Sequence, residues 1–476
     1  MPTIPDAAQR DDVAPPRSPL LIAGVVAVAF LMEQLDSTII TTALPAMSVA
    51  LHASALDMNL AVSAYVLTLA VFIPLSGWFA DRFGTRRVFI SALLLFSLGS
   101  MACGAAQNLP MLVATRVLQG LGGAMMTPVG RLILLRSFPR SQLVRAMTYI
   151  TVPAIIGPLL GPLLGGYLTT YASWRWIFYV NVPFGLLGIV LATRHVSPQA
   201  AEPRAPFDLA GFLVFAGAVA LLQWVVESLG LASAATLLLE LLASVALLLG
   251  FVLHSRRCAR PAVELDLLRE RAFGIATLAG GLCRVAMNAP LYLLPLLLQL
   301  GLGMSPVQAG SLVFLSALGA PAIRLGVGPA LKRWGFRALL GGSALASAAC
   351  LAAFAAIGRD TPQWAIALAI VVYGAVRSTQ FMSSNTLAYA DVAAARLSRA
   401  TSLGGLLQQL TVSLGVGAGA AALRLLAPQA TPSLDHLRMA FVMLALLPLL
   451  AIPAFLRLRP ADGSAVSGHG ASAPGS

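Results

Sequence analysis

Residues Gly77–Arg86 read GWFADRFGTR, and residues Gly328–Arg337 read GPALKRWGFR. Laid over one another, Gly77 falls on Gly328, Arg82 on Arg333, Gly84 on Gly335 and Arg86 on Arg337, so glycines and arginines match at four of ten positions. Asp81 falls on Lys332, so only the first copy keeps an acid there. A tight turn whose guanidinium pairs a carboxylate or caps helix ends asks for these residue types. The plain alternative is two unrelated basic turns. Long apolar runs flank both copies, however, and equivalent turns in duplicated halves are how many secondary transporters are built around a midplane site.

Those apolar runs set the class. Of 476 residues 58% are hydrophobic and 10% charged, with a mean hydropathy of +0.85. A soluble domain carries roughly 25% charged residues, so the solvent here is a bilayer. A span takes about 20 residues, and runs this long mean helices, because lipid leaves only helices or a closed barrel. Apolar segments fall near 20–44, 57–76, 88–106, 111–135, 144–169, 174–193, 208–226, 231–254, 272–299, 306–327, 336–357, 363–386, 400–424 and 438–457. Fourteen spans put both termini on one side. With that side cytoplasmic, 23 of the 31 basic residues fall inside, four (Arg175, Arg359, Arg424 and Arg438) fall outside, and four (Arg116, Arg284, Arg324 and Arg377) sit at membrane depth. This is the positive-inside bias. The net charge of +13 is therefore largely topology and does not indicate nucleic acid.

The expected organisation is a disordered cytoplasmic tail (1–17), an N-terminal six-helix bundle (18–195), an inserted helix pair with flanking loops (196–260), a C-terminal six-helix bundle (261–459) and a second disordered tail (460–476). The first tail has no signal-peptide n-region. Cysteines 103, 258, 283 and 350 lack paired spacing, so the sequence supports neither a disulfide framework nor a zinc site.

Five segments carry a resemblance. GWFADRFGTR resembles the loop signature of the major facilitator superfamily. LVATRVLQGLGGA (Leu112–Ala124) resembles its fourth-helix motif, and GPLLGPLLGG (Gly157–Gly166) the fifth-helix motif of its drug:proton antiporters. LDSTIITTALP (Leu35–Pro45) and WRWIFYVNVPFG (Trp174–Gly185) resemble marks of the fourteen-span EmrB/QacA branch; the texture is nearest to its MdtD-like members. The resemblance implies an all-α polytopic membrane protein with the major facilitator fold, two six-helix bundles and an inserted pair.

Glu33 and Asp36 lie three apart and share a helical face of the first span. Ionisable groups at that depth are costly and functional by default, and desolvation favours the protonated form of a carboxyl. Arg116, Gln119, Gly120 and Gly123 share a face of the fourth span, where a buried Arg116 needs a partner; Asp36 or Glu33 is the candidate. A guanidinium does not release a proton near neutral pH, so Arg116 would bias a neighbouring carboxyl. The family motif implies the same role in proton coupling, and Asp36 falls on the family's first-helix acid.

Gly157, Gly161 and Gly165, with Pro158 and Pro162, form a small-residue stripe that packs helices closely. By resemblance it is the antiporter hinge or seal, while Gly77, Asp81, Arg82, Gly84 and Arg86 form a cytoplasmic latch. Arg284 with Asn288, Arg324, Arg377 with Gln380, and Gln408 are cavity candidates in the C-terminal half, as is Gln119 in the N-terminal half.

No GxxxxGK[ST] occurs, so an ion gradient is the expected energy source, with no cofactor and no enzymatic constellation. The leading expectation is a proton-driven efflux carrier of hydrophobic or amphipathic compounds in a bacterial inner membrane. Expected partners are lipid, a small-molecule substrate and protons, with a periplasmic adaptor as an optional one. The alternatives are an exporter of a small organic anion or its metal chelate, motivated by the C-terminal arginines, and a channel or non-transporting scaffold.

Overall fold

The computed structural model describes residues 19–138, 143–198, 207–258, 261–393, 396–427, 432–459 and 461–467. The described residues contain no strand. The helices in chain order are α1 (Pro19–Ile39), α2 (Asn59–Phe83), α3 (Thr85–Gly104), α4 (Leu109–Ser137), α5 (Leu143–Tyr171), α6 (Asn181–His195), α7 (Leu209–Ser228), α8 (Ala234–Arg257) and α9 (Arg271–Asn288). There follow α10 (306–334), α11 (336–355), α12 (Gln363–Ala390), α13 (Leu397–Leu426) and α14 (Leu434–Leu456). Against the fourteen spans expected, twelve helical segments among the described residues are long and apolar enough to cross a bilayer; Pro306–Leu318 is a shorter apolar helix.

The two matched turns both break at a glycine with positive φ. Gly84 (φ 83°, ψ 140°) separates α2 from α3, and Gly335 (φ 71°, ψ 172°) breaks the helical run Gly319–Ala355 into α10 and α11. A side chain is strained at such φ values, which is why glycine stands at both. The sequence reading needs one correction here: residues 77–83 are the last turns of α2, and the break is confined to Gly84.

Other breaks were invisible to hydropathy. A one-turn helix Trp176–Tyr179 precedes α6, a π-turn Leu297–Gly301 follows the extension Pro290–Leu296 of α9, and a 3₁₀ turn Leu315–Leu318 interrupts α10. That last turn lies so close to α12 that a Cβ on Gly374 would stand 1.7 Å from the Ser316 carbonyl oxygen. In lipid, close backbone packing replaces the hydrophobic effect as the force between helices.

Helices α1, α3, α4, α5 and α6 pack on one another with α2, and α9, α11, α12, α13 and α14 pack likewise with α10. The two sets meet through α2 against α13 and α5 against α10, the second helix of each set on the fifth of the other. Helices α7 and α8 pair through Phe215–Phe251 (5.2 Å) and the Ser244 hydroxyl, which donates to the Ala218 carbonyl at 2.9 Å; α7 lies against α2 and α13.

The near end of the molecule carries the Gly84 and Gly335 turns and Leu458; the far end carries the α1–α2, α7–α8 and α13–α14 connections. At the far end both sets share one apolar cluster, including Leu44, Met47, Tyr292, Leu293 and Phe441. Gln299 Nε2 donates to the Thr42 carbonyl and the Tyr292 hydroxyl to the Ala55 carbonyl, each at 2.9 Å.

The first tail lies outside the described residues. Of the second, residues 461–467 are described, and they are docked; residues 460 and 468–476 lie outside the described residues. Asp462 pairs with Arg271 at 3.4 Å, the Gly463 N–H donates to Asp391 Oδ2 at 3.1 Å, and Ser464–Ser467 form one helical turn. These polar contacts hold the 461–467 stretch in place despite its Ala/Gly/Ser composition.

Candidate functional site

Helix α1 and the 3₁₀ turn Ile40–Thr42 that continues it form an apolar run that satisfies its own hydroxyls: Ser37, Thr38 and Thr41 donate to carbonyls three or four residues back. Its one fully buried acid is Asp36, at 0% exposure. Arg116 of α4, also at 0%, reaches it: Nη1 lies 2.6 Å from Asp36 Oδ2. Of the two candidate partners, Asp36 takes the guanidinium. The same Nη1 donates to Gln119 Oε1 at 2.8 Å and Nε to the Ala61 carbonyl at 3.1 Å, while the Tyr65 ring stacks 4.1 Å from Cζ.

Asp36 Oδ1 accepts from Gln119 Nε2 at 2.8 Å and Asn181 Nδ2 at 3.1 Å. Asn181 is itself held by the Ser100 hydroxyl at 3.2 Å. Five helices, α1, α2, α3, α4 and α6, thus converge on one carboxylate. Two polar atoms in this centre, Arg116 Nη2 and the Tyr65 hydroxyl, are buried without a partner, a state that is costly in lipid.

Glu33 shares Asp36's face but not its partners, since it accepts from the Thr127 hydroxyl further along α4. Gln119, expected in a substrate cavity, is instead buried at 0% inside the Asp36 cluster. Asn181 and Tyr65 were not anticipated; each stands within an apolar or motif stretch that gives no local spacing signal.

The helix-five stripe packs α5 on α1. A Cβ on Gly157 would lie 2.6 Å from Gln34 Cβ, on Gly161 2.0 Å from Thr38 Oγ1, and on Gly165 2.2 Å from the Ile39 carbonyl oxygen. The carbonyl of Pro162 accepts from Thr42 Oγ1 at 3.5 Å, and Pro158 lies in the same helix. Gly161→Ala is therefore expected to destabilise the protein by about 1–3 kcal/mol through overpacking. Gly77→Ala, where a Cβ meets nothing within 4 Å, should melt with the parent. Thermal unfolding of the two purified variants checks this, and a Gly161→Ala protein as stable as the parent would refute the packing account.

At the near end, Arg82 stacks over Trp78 at 5.4 Å and Arg86 caps α6 by donating to the Thr193 carbonyl. Asp81 lies in the last turns of α2, before Gly84.

A second buried ionic cluster was missed. Arg424 of α13, sorted by sequence among the external loop residues, is 2% exposed. Its Nη1 donates to the Glu227 carbonyl and lies 3.3 Å from Glu227 Oε2, while Nη2 donates to the Leu56 carbonyl at 3.2 Å, Asn59 Oδ1 at 3.1 Å and Asp57 Oδ1 at 3.3 Å. Asn59 Nδ2 in turn donates to Glu227, and Gln223 Nε2 to Glu227 Oε1 at 2.9 Å. This knot ties α2, α7 and α13 together at the far end.

The remaining cavity candidates are scattered. Arg377 donates to Asn288 Oδ1 at 3.1 Å, and Arg284 to Asn385 Oδ1 at 3.3 Å with Phe381 5.4 Å away. Gln380 is not beside them: it is buried against α11, where it accepts from the Ser343 hydroxyl. Gln408 is partly exposed on α13, and the side chain of Arg324 lies outside the described residues.

Asp208, His254 and Cys258, 46 residues apart at the ion pair, bring three metal-ligand types within 4.8 Å. Cysteine spacing gave no hint of it. Asp208 already accepts from the Gly211 and Ala262 N–H groups and lies 2.8 Å from His254 Nε2. Burial pushes its carboxyl up, but these bonds more than offset that and hold it below the ordinary range, as suits an ionised helix N-cap that clasps α7 to α8.

Residues 26–416 match the profile of the Major Facilitator Superfamily. The chain belongs to the major facilitator superfamily. A relative described as "Putative multidrug resistance protein MdtD" in Pectobacterium atrosepticum is 38% identical over 438 residues, covering 91% of this chain and 94% of that one. Its namesake in Cronobacter sakazakii is 40% identical over 396 residues, 82% and 83% of the two chains. Among solved structures, a peptide transporter POT in complex with sulfate aligns with TM-score 0.69 at 18% identity over 97% of this chain and 98% of that one. A D-xylose-proton symporter aligns with TM-score 0.65 at 15% identity over 94% and 99%. These structures share the major facilitator fold. The protein is accordingly a multi-pass membrane transporter and not an enzyme.

Proposed function

We propose that the protein is a proton-driven exporter of structurally diverse hydrophobic or amphipathic compounds across a bacterial inner membrane, working by alternating access. The observation that carries this reading is the buried Asp36–Arg116 pair in a helix centre with Gln119 and Asn181. While Asp36 is ionised, it balances Arg116. A proton taken up by Asp36 removes that balance, frees the guanidinium towards Gln119 and the Ala61 carbonyl, and changes how α1 sits on α4. Glu33, one turn away, is a second proton-accepting group. The class of substrate rests on the multidrug-resistance relatives.

In this reading the chain has fourteen spans of the EmrB/QacA type. To the twelve long apolar helices are added the 29-residue α5 and α10, which continues through its 3₁₀ turn to residue 334. The α1–α6 and α9–α14 sets are the two bundles, α7 and α8 the inserted pair, and the near end is cytoplasmic. The far-end knot of Arg424, Glu227 and Asn59 is then the external seal, and Gly77–Arg86 the latch of the opposite gate. Gly77, uncrowded in this conformation, would be the contact surface when the near end closes. The organic-anion alternative is not favoured: Arg377 and Arg284 both meet side-chain amides.

A reporter fused after Ser228 is expected to read external and one after Arg256 internal; the reverse would break the fourteen-span topology. Function is tested by expressing the protein in an efflux-deficient bacterium. Resistance to cationic dyes that an uncoupler abolishes is expected, and dye retention unchanged by expression would contradict the exporter reading.

A further inference from the structure

A cavity of about 460 Å³ opens at the near end between α11 and α14, away from the coupling centre. Its walls divide by chemistry. The floor is apolar, formed by Leu345 of α11 and by Ile452 and Leu456 of α14, with Gly341 and Gly342 between them. A Cβ on either glycine would meet nothing within 4 Å, so the two residues leave an open trough along the helix. The rim carries Trp334, Arg337 and Arg459, all exposed. Trp334 at 56% exposure suits a bilayer interface, where indole rings concentrate.

The charge at this rim is unbalanced. Asp462, the one acid lining the cavity, is already engaged: Arg271 Nε lies 3.4 Å from it and the Arg459 backbone N–H donates to it at 2.8 Å. Among the described residues no carboxylate forms an ion pair with the Arg337 or Arg459 side chain. Two free guanidinium groups above an apolar trough, at the depth where α11 and α14 leave the membrane, ask for a ligand with an anionic head and a hydrocarbon tail.

We propose that this cavity binds an anionic glycerophospholipid of the leaflet at the near end. Arg337 and Arg459 take the phosphate through charge-assisted hydrogen bonds, and one acyl chain lies in the trough over Gly341 and Gly342. Basic pockets between helices on the cytoplasmic side recognise such head groups. The bound lipid would tether the Gly335 turn and the docked 461–467 segment to the membrane surface, because Gly335, Phe336 and Asp462 line the same cavity.

The test uses the purified full chain in a neutral detergent. Thermal unfolding is followed after adding phosphatidylglycerol, phosphatidylcholine with the same acyl chains, or inorganic phosphate. Phosphatidylglycerol is expected to raise the melting temperature by several degrees and the other two to leave it unchanged. The Arg337→Gln/Arg459→Gln double variant should lose at least most of that shift, as should Gly342→Leu, which fills the trough. Arg257→Gln, a near-end charge change on α8, should keep it. Equal shifts from the two lipids, a full shift in the double variant, or loss in Arg257→Gln would overturn the proposal. A shift reproduced by phosphate alone would reduce the site to an anion site and overturn the lipid assignment.

Discussion

Asp36→Asn is expected to abolish gradient-driven export completely while the protein still reaches the membrane. The asparagine keeps the shape of the side chain and can accept from Gln119 and Asn181, but it can neither take up and release a proton nor balance Arg116. Removing one member of a buried ion pair costs about 3–5 kcal/mol because the other charge is left uncompensated. Here the guanidinium retains Gln119 Oε1, the Ala61 carbonyl and the Tyr65 ring face, so folding should survive with a lowered melting temperature. An Asp36→Asn/Arg116→Gln double variant restores neutrality. It is expected to regain stability but not export, which separates coupling from folding. Full export by either variant would refute the coupling role.

The second large effect is expected at the far end. Glu227→Gln neutralises the acid that α7 contributes to Arg424, which is buried with it. A loss of about 3 kcal/mol on the low side of the buried-pair range corresponds to about a hundredfold change in an equilibrium constant. Asp57 and the Leu56 carbonyl hold part of the guanidinium, so about tenfold is the expected floor. A cysteine at Ser63, buried under the knot beside Ser413, reports the opening in a background whose four native cysteines are replaced by serine or alanine. An impermeant maleimide applied from outside should label it at least about tenfold faster in Glu227→Gln. Unchanged labelling would mean that the inserted pair is no part of the seal.

Much of this architecture was legible from residues alone, and the reasons are physical. Long apolar runs announce bilayer helices because backbone groups in lipid have no other partners. The pairing of Gly77–Arg86 with Gly328–Arg337 located two positive-φ glycines, since a φ of that sign leaves few other choices. Asp36 and Arg116 could be matched because so few acids lie in the N-terminal half. Glu227 and Arg424 could not: they stand 197 residues apart at helix ends, where hydropathy places a boundary only to within a few residues. Arg424 therefore counted as a loop residue. Gln380 was misplaced for a related reason, because its position on α12 did not reveal that it turns towards Ser343 of α11 rather than towards Arg377. The short turns at Leu315–Leu318 and Leu297–Gly301 leave hydropathy untouched.

Substrate-induced proton movement in liposomes containing only the purified protein tests the central claim most directly. With a pH-sensitive dye inside the vesicles, adding a cationic drug to the wild-type protein should drive protons across the membrane in the direction opposite to the drug, and Asp36→Asn should give none. Drug accumulation against its gradient that proceeds without proton movement, or equal proton movement in Asp36→Asn, would contradict it.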